Sequence, residues 1–310
     1  MKAKVVIGIV AALVLLIPFH AEAATAAEKW FERGQALRMK GDYDGAIRAY
    51  GKAIEQDLFY AAAYNNRGAA YNHLGNPQQA LSDLNRAIDI NPRYSAAYSN
   101  RGRSYNDLGD CQKALKDCSM AIELDPRNVS AYINRAVSNG KMGNYQQAIK
   151  DCNKAIELDS KSVNAYNNRG NAYSLLGDHQ QAIRDYSKAI ELAPGYATSY
   201  NNRGDAYSLL GDHQQAIKDF NRAIELNPGY AMAYSNRGKA YGEMGNHQQA
   251  IKDCNKAVEL DPRHAEAYYS RGFSYGRLGN QRQETNDYRE AAKLGSRDAQ
   301  ELLKGRGMTW

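Results

Sequence analysis

Apolar and polar positions along this chain repeat at a fixed distance of 34 residues. Tyr173–Ile183 and Tyr207–Ile217 are the same eleven residues, YSLLGDHQQAI. With Ala27 as position 1, eight units follow without insertion: 27–60, 61–94, 95–128, 129–162, 163–196, 197–230, 231–264 and 265–298. Self-similarity at such a period marks a solenoid of stacked supersecondary units.

Each unit reads as two helices. Position 4 is aromatic throughout, from Trp30 and Tyr64 to Tyr268, position 8 is Gly except at Ala136, and position 11 is Tyr except at Leu37 and Asn139. The 4-8-11 spacing is one stripe on a helix. Gly in mid-helix costs about 1 kcal/mol relative to Ala, so its recurrence predicts a neighbouring helix packed too closely for a side chain. Position 15 is always Gly and position 16 always Asp or Asn. That pair predicts a left-handed C-cap followed by an N-cap, and Gln at position 19 predicts capping boxes such as Asp178 with Gln181. The second helix carries Ala at 20 and 27, Ile or Leu at 21 and Ile or Val at 28 in most units. Pro92, Pro126, Pro194, Pro228 and Pro262 at position 32 stop it. In the last unit Glu284 and Thr285 make the second helix more polar. Residues 296–304 then read as a capping helix, and 305–310 as a frayed tail.

The W/Y-x2-R-G-x2-Y … A-x3-Y/F/C … A … P pattern resembles the tetratricopeptide repeat, over almost the whole chain after residue 26. The resemblance implies an all-α fold, an α-solenoid of antiparallel helix pairs. It implies a right-handed superhelix, with the first helix of each unit lining the concave side and positions 5, 9, 12 and 13 facing inward. A lone hairpin cannot bury its apolar stripe, whereas stacked neighbours can.

Composition adds little that the repeat does not explain. Of 23 Tyr, seven sit at position 4 and six at position 11, so the aromatic bias belongs to the architecture. Residues 1–23 differ in kind. Lys2 and Lys4 precede an apolar run from Val5 to Ile17, Pro18 breaks it, and Ala21-Glu22-Ala23 is an A-x-A site. This is the layout of a cleaved secretory signal. A retained anchor is the rival, but a run of that length spans only ~20 Å as a helix, short of a hydrocarbon core of roughly 30 Å. The formal charge of +6 becomes +5 once Lys2, Lys4 and Glu22 leave. The cations form no run of the kind that binds nucleic acid. The expectation is an exported protein, periplasmic or extracellular, with no membrane span after cleavage.

No nucleophile–base pair, phosphate loop or zinc spacing stands out, so neither enzyme activity, cofactor nor metal is expected. Cys118, Cys152 and Cys254 all occupy position 24, where other units have Tyr50, Leu84, Tyr186 and Phe220, so packing accounts for them. Cys111 and Cys118, seven residues apart on one helix, are too far apart to bridge. His179, His213 and His247 share position 17. Packed helices lie near 10 Å apart, whereas metal–nitrogen bonds are about 2 Å, so these read as solvated first-turn residues.

Two polar patterns survive this subtraction. Position 7 is Arg in all eight units and position 23 is Asp in all but the first, which has Ala49. Where the family usually has a semi-buried Leu, an Arg needs a partner, which predicts a structural ladder of ion pairs. Its rungs are Arg67 with Asp83, Arg101 with Asp117, Arg169 with Asp185, Arg203 with Asp219 and Arg237 with Asp253, and likewise in the remaining units. Position 6 is Asn in six consecutive units, as Asn66, Asn100, Asn134, Asn168, Asn202 and Asn236, and position 5 adds Asn65, Asn167 and Asn201. Asn is a mediocre mid-helix residue, but its amide both accepts and donates and so matches peptide backbone. A similar ladder of Asn lines the repeats of the O-linked N-acetylglucosamine transferase, where it holds peptide main chain. The likeness is confined to those six Asn. The carboxylate clamp of cochaperones is not matched, since position 2 is never Lys.

The functional expectation is a scaffold for protein–protein interaction that holds an extended segment of another protein or peptide in an Asn-lined groove. It would act as a monomer or within a larger complex. The alternative is a structural or assembly subunit of a cell-envelope complex that uses its convex or lateral faces. If the leader is cleaved as its layout implies, N-terminal sequencing of protein recovered from a host envelope fraction yields a mature chain starting at Ala24. A chain still beginning at Met1 in the membrane fraction would instead establish the anchor.

Overall fold

A computed structural model of the chain describes residues 25–310; the expected signal, 1–23, lies outside the described residues. The contacts divide the molecule into two compact units that part between Asp159 and Ser160. The first unit holds α1 (25–39), α2 (Tyr43–Gln56), α3 (Ala61–His73), α4 (Pro77–Ile90), α5 (Ser95–Asp107), α6 (Cys111–Leu124), α7 (Val129–Lys141) and α8 (Tyr145–Leu158). The second holds α9 (Val163–Leu175), α10 (His179–Leu192), α11 (Ala197–Leu209), α12 (His213–Leu226), α13 (Ala231–Glu243), α14 (His247–Leu260), α15 (Ala265–Arg277), α16 (Gln281–Lys293) and α17 (Arg297–Gly305). Among the described residues the regular structure is helical throughout. Odd and even helices pair as antiparallel hairpins, and within each unit every second helix packs on the first helix of the next hairpin.

The turn inside each hairpin is set by two residues. Gly at position 15 adopts φ between 74° and 84° in all eight repeats, a region that a side chain would disfavour. In repeat 2 the Gly75 N–H donates to the Asn72 carbonyl and the Asn76 N–H reaches back to the Tyr71 carbonyl. These two bonds make a Schellman motif. The residue at position 16 then caps the next helix: Asp42, Asp110, Asp178, Asp212, Asn246 and Asn280 each accept an N–H three residues on. The return arm expected of a capping box does not form. The Asp178 N–H already bonds the Tyr173 carbonyl, so Gln181 turns its amide oxygen to Arg184 instead. One residue serves both turns, and the C-cap claims its N–H first.

Close approach explains the Gly at position 8. A Cβ on Gly102 would lie 2.5 Å from Cys118 Sγ, on Gly204 2.8 Å from Phe220, and on Gly170 2.7 Å from Tyr186. The neighbour is therefore position 24 of the same hairpin. Repeat 4 carries Ala136 at this position and Cys152 at position 24, both buried. Much of the core is built this way, from fully buried Ala such as Ala63, Ala80, Ala97 and Ala216, with Tyr rings filling the seams. Burial pushes the Cys118 and Cys254 thiols up to about 12, which removes them from thiolate chemistry at neutral pH.

The last helix, α17, is capped by Ser296 and buries Ala299 and Leu303 against Tyr288, Ala291 and Ala292. The tail beyond it departs from the frayed end expected for 305–310. Gly307, at φ 66°, makes one more Schellman turn, and the Met308 N–H reaches the Leu303 carbonyl. Arg306 pairs with Glu284 at 2.8 Å, and Arg289 donates to the Thr309 carbonyl. The polar Glu284 thus faces an internal cation.

Gly204→Ala tests the close approach. On helix propensity alone Ala should stabilise by about 0.5–1 kcal/mol, but overpacking against Phe220 and the Ala216 carbonyl costs about 1–3 kcal/mol. Chemical denaturation should therefore show a less stable protein; an unchanged or raised midpoint would mean that the hairpin is looser than described.

Candidate partner-binding face

The position-7 arginines from repeat 2 onward form a recurring polar node in both units. Seven of them grip the aspartate sixteen residues on, from Arg67 with Asp83 to Arg271 with Asp287, at 2.6 to 2.8 Å. The grip is bidentate, Nε to one carboxylate oxygen and Nη2 to the other, as in Arg203 with Asp219. Such a fork fixes direction as well as distance. The aspartates are only 2 to 6% exposed. Their hydrogen bonds hold Arg67, Arg101, Arg135, Arg203 and Arg271 above the ordinary guanidinium range. In repeat 4 Asp151 takes a further bond, from Asn139, the residue that stands where Tyr is usual.

Two more contacts were not foreseen from the sequence. Each guanidinium lies 5.2 to 5.8 Å from the centre of the position-4 ring three residues before it, a cation–π geometry. In five repeats the remaining Nη1 crosses to the preceding hairpin, where position 25 accepts it: Arg101 to Asn85, Arg135 to Ser119, Arg203 to Ser187, Arg237 to Asn221 and Arg271 to Asn255. Position 25 is Asn or Ser in repeats 2 to 7, a regularity that could have revealed the partner.

The asparagines separate into two classes. At position 5, Asn65, Asn167 and Asn201 are 4, 5 and 2% exposed. Asn167 exchanges hydrogen bonds with Ser199, and Asn65 and Asn201 bond to Asn66 and Asn202 on their own helices. Burial between first helices takes these three out of reach of a ligand, contrary to their grouping with the groove. At position 6, Asn66, Asn100, Asn134, Asn168, Asn202 and Asn236 are half-buried. Asn100 donates to Asn65, Asn134 to the Ser99 carbonyl and Asn236 to Asn201, each in the preceding repeat. Asn202 donates to Asn171. A carboxamide has two donors and two acceptor sites, so these bonds leave capacity on every rung.

Position 12 tunes the same face. Asn72 donates to the Asn100 carbonyl and accepts from Ser104, and Asn106 treats Asn134 and Ser138 in the same way. In repeats 5 and 6 a Ser takes its place and meets the half-buried histidine: Ser174 with His179 and Ser208 with His213. These histidines are thus partly enclosed, not fully solvated as their first-turn position suggested. Gly242 provides neither contact. His247 Nδ1 and Ser274 Oγ are left buried without a protein partner, beside a hollow of about 130 Å³ lined by Lys239, Gly242, Glu243, Tyr269, Ser270 and Phe273.

Family models agree with this geometry. A tetratricopeptide repeat model matches residues 59–125, 128–194 and 162–228, together more than half of the chain. Further tetratricopeptide models match 231–264 and 254–291, and a TPR repeat model matches 34–75. The chain belongs to the tetratricopeptide repeat family. No curated protein sequence matches it. Among solved structures, a chain of the APC/C heterotetramer Cut9–Hcn1 is 21% identical with a TM-score of 0.74, covering 86% of this chain and 54% of that one. This chain therefore spans about half of that protein's length. A tetratricopeptide repeat protein from Parabacteroides merdae is 22% identical with a TM-score of 0.61, covering 81% of this chain and 99% of its own. At such identities the likeness is one of fold.

As a tetratricopeptide repeat protein, the chain is a scaffold suited to protein–protein interaction. The hollow beside Gly242 is lined from positions 9, 12 and 13 of one repeat and 5, 6 and 9 of the next, so it adjoins the position-6 row. The family's usual Leu at position 7 is replaced by a buried polar node, and this sets its failure mode. Removing one member of a buried ion pair costs about 3–5 kcal/mol, while exchanging both for apolar residues is often neutral. Asp219→Asn should therefore destabilise the second unit by about 3 kcal/mol, the low end of that range, because Arg203 stays 18% exposed and keeps Ser187. Hydrogen exchange should accelerate in α11 and α12, and the double exchange R203L/D219L should recover most of the loss. Unaltered exchange in Asp219→Asn would mean that the ladder does not hold the hairpin.

Proposed function

We propose that this protein is an exported scaffold that holds an extended segment of another protein along the first-helix face of each unit, through the position-6 carboxamides. The observation that carries this reading is their half-buried, partly satisfied row: Asn66, Asn100 and Asn134 in one unit, Asn168, Asn202 and Asn236 in the other. Asn66, Asn100, Asn134, Asn202 and Asn236 are each steadied by a neighbour, and every member of the row keeps hydrogen-bonding capacity for a ligand. Packed helices step by roughly 10 Å, about three residues of extended chain at ~3.3 Å each. One carboxamide then meets one backbone amide in three, and side chains need not be read. A hollow such as that beside Gly242 supplies local preference for a single side chain. Export rests on the basic, apolar and A-x-A order of residues 1–23. No described helix is long and apolar enough to cross a membrane.

Replacing Asn168, Asn202 and Asn236 together by Ala tests the reading. Ala is the better helix former, so helicity should be kept. Affinity for peptides selected on the intact protein from a random extended library should fall at least about tenfold, a loss of roughly 1.4 kcal/mol. Retained affinity with an intact fold would remove the carboxamide row from the binding face.

A further inference from the structure

The first hairpin lacks what every other hairpin has. In repeats 2 to 8 the position-7 guanidinium is gripped by an aspartate at position 23. In repeat 1 that position is Ala49, 3% exposed. The crossing acceptor at position 25, which the preceding hairpin supplies to Arg101, Arg135, Arg203, Arg237 and Arg271, is likewise not offered to Arg33 by any described residue, α1 being the first described helix. Among the described residues Arg33 keeps the ring alone: it lies 5.2 Å from the Trp30 centroid, and Lys52 lies 4.6 Å from the same ring. Around them is an open cavity of about 310 Å³, walled by Trp30, Arg33, Leu37, Arg48, Ala49 and Lys52. Among the described residues the acid in its lining is Asp42, whose carboxylate accepts the Gly45 N–H as the cap of α2. Three cations thus face a hollow in which, among the described residues, the single carboxylate spends one oxygen on the backbone cap.

We propose that this cavity is a docking site for a carboxylate side chain of an acidic segment on a partner protein, which takes the place of the missing rung on Arg33. The chemistry is what the molecule repeats seven times internally. A guanidinium held over an aromatic ring presents its Nε and Nη2 edge as a planar fork, and a carboxylate is the group that fits two parallel N–H donors. Arg48 and Lys52 add positive potential that draws an acidic segment and hold further acids beside the first. The cavity shares no residue with the row of asparagines. The inference is therefore independent of the peptide-holding reading and its test can fail separately.

The test uses the whole mature chain and a fluorophore-labelled hexaglutamate peptide, with hexaglutamine as the neutral control. Hexaglutamate should bind, more weakly as salt rises, and hexaglutamine should not. Ala49→Asp supplies the rung from within: it should raise the melting temperature and weaken hexaglutamate at least about tenfold. Arg33→Gln should weaken binding similarly without the gain in stability. Arg184→Gln with Lys188→Gln, which remove the same kind of charge from the second unit, should leave binding within about twofold. The site is overturned by several outcomes. These are equal losses in that control, undiminished binding to Ala49→Asp, or a lowered melting temperature for that variant, which would show that an acid at 49 does not reach Arg33. Inorganic phosphate displacing the peptide at equal concentration of charge would also overturn it, in favour of a free-anion site.

Discussion

The bidentate pair between the position-7 arginine and the position-23 aspartate is the constraint on which the second to eighth hairpins depend. Many of their buried apolar residues are alanines, which bring helices close but bury little surface each. Alanine packing alone therefore specifies proximity better than register. The arginine supplies register in three directions at once. In five hairpins it stacks on the ring one turn back, forks onto the second helix of its own hairpin, and crosses to the hairpin before it. A leucine in the same place could fill the volume without choosing among rotations of the two helices, because dispersion has no direction. The node costs desolvation, and the full set of donors offsets it.

Once register is held, the remaining polar residues of the first helix are free to differ from repeat to repeat. Position 12 shows this most clearly. Asn72 and Asn106 bridge to the next hairpin, Ser174 and Ser208 meet a histidine, and Gly242 opens a hollow. None of these changes disturbs the turn, because the turn is closed by Gly at 15 and the doubled role of position 16. A scaffold of this kind can vary one face for a ligand while its joints stay the same. The first hairpin is the complementary case, where the joint itself is incomplete and its arginine looks outward.

A glance at the two rows of asparagine shows how little spacing says about direction. Positions 5 and 6 are neighbours in sequence and carry the same residue, yet a 100° turn of helix separates a buried strut from a half-open amide. The same limit applies to the histidines at 17. Their first-turn place suggested solvent, but the helix of the same hairpin brings a hydroxyl against them.

What the sequence by itself determined was everything local or periodic: the unit length, the helix pairs, the caps, the Gly at closest approach and the partner of each arginine within one hairpin. These follow from steric rules that act within one hairpin and repeat unchanged, so a period of 34 residues exposes them. Tertiary structure decided what lies between hairpins. It chose position 25 as the third partner, let the C-cap claim the N–H that a capping box would need, and tied the tail back through Gly307 and Arg306. It also buried one row of asparagines and left the other half open. The physical reason is that these outcomes depend on the angle at which one hairpin meets the next, and that angle is set by many weak contacts at once, with no residue type to announce it.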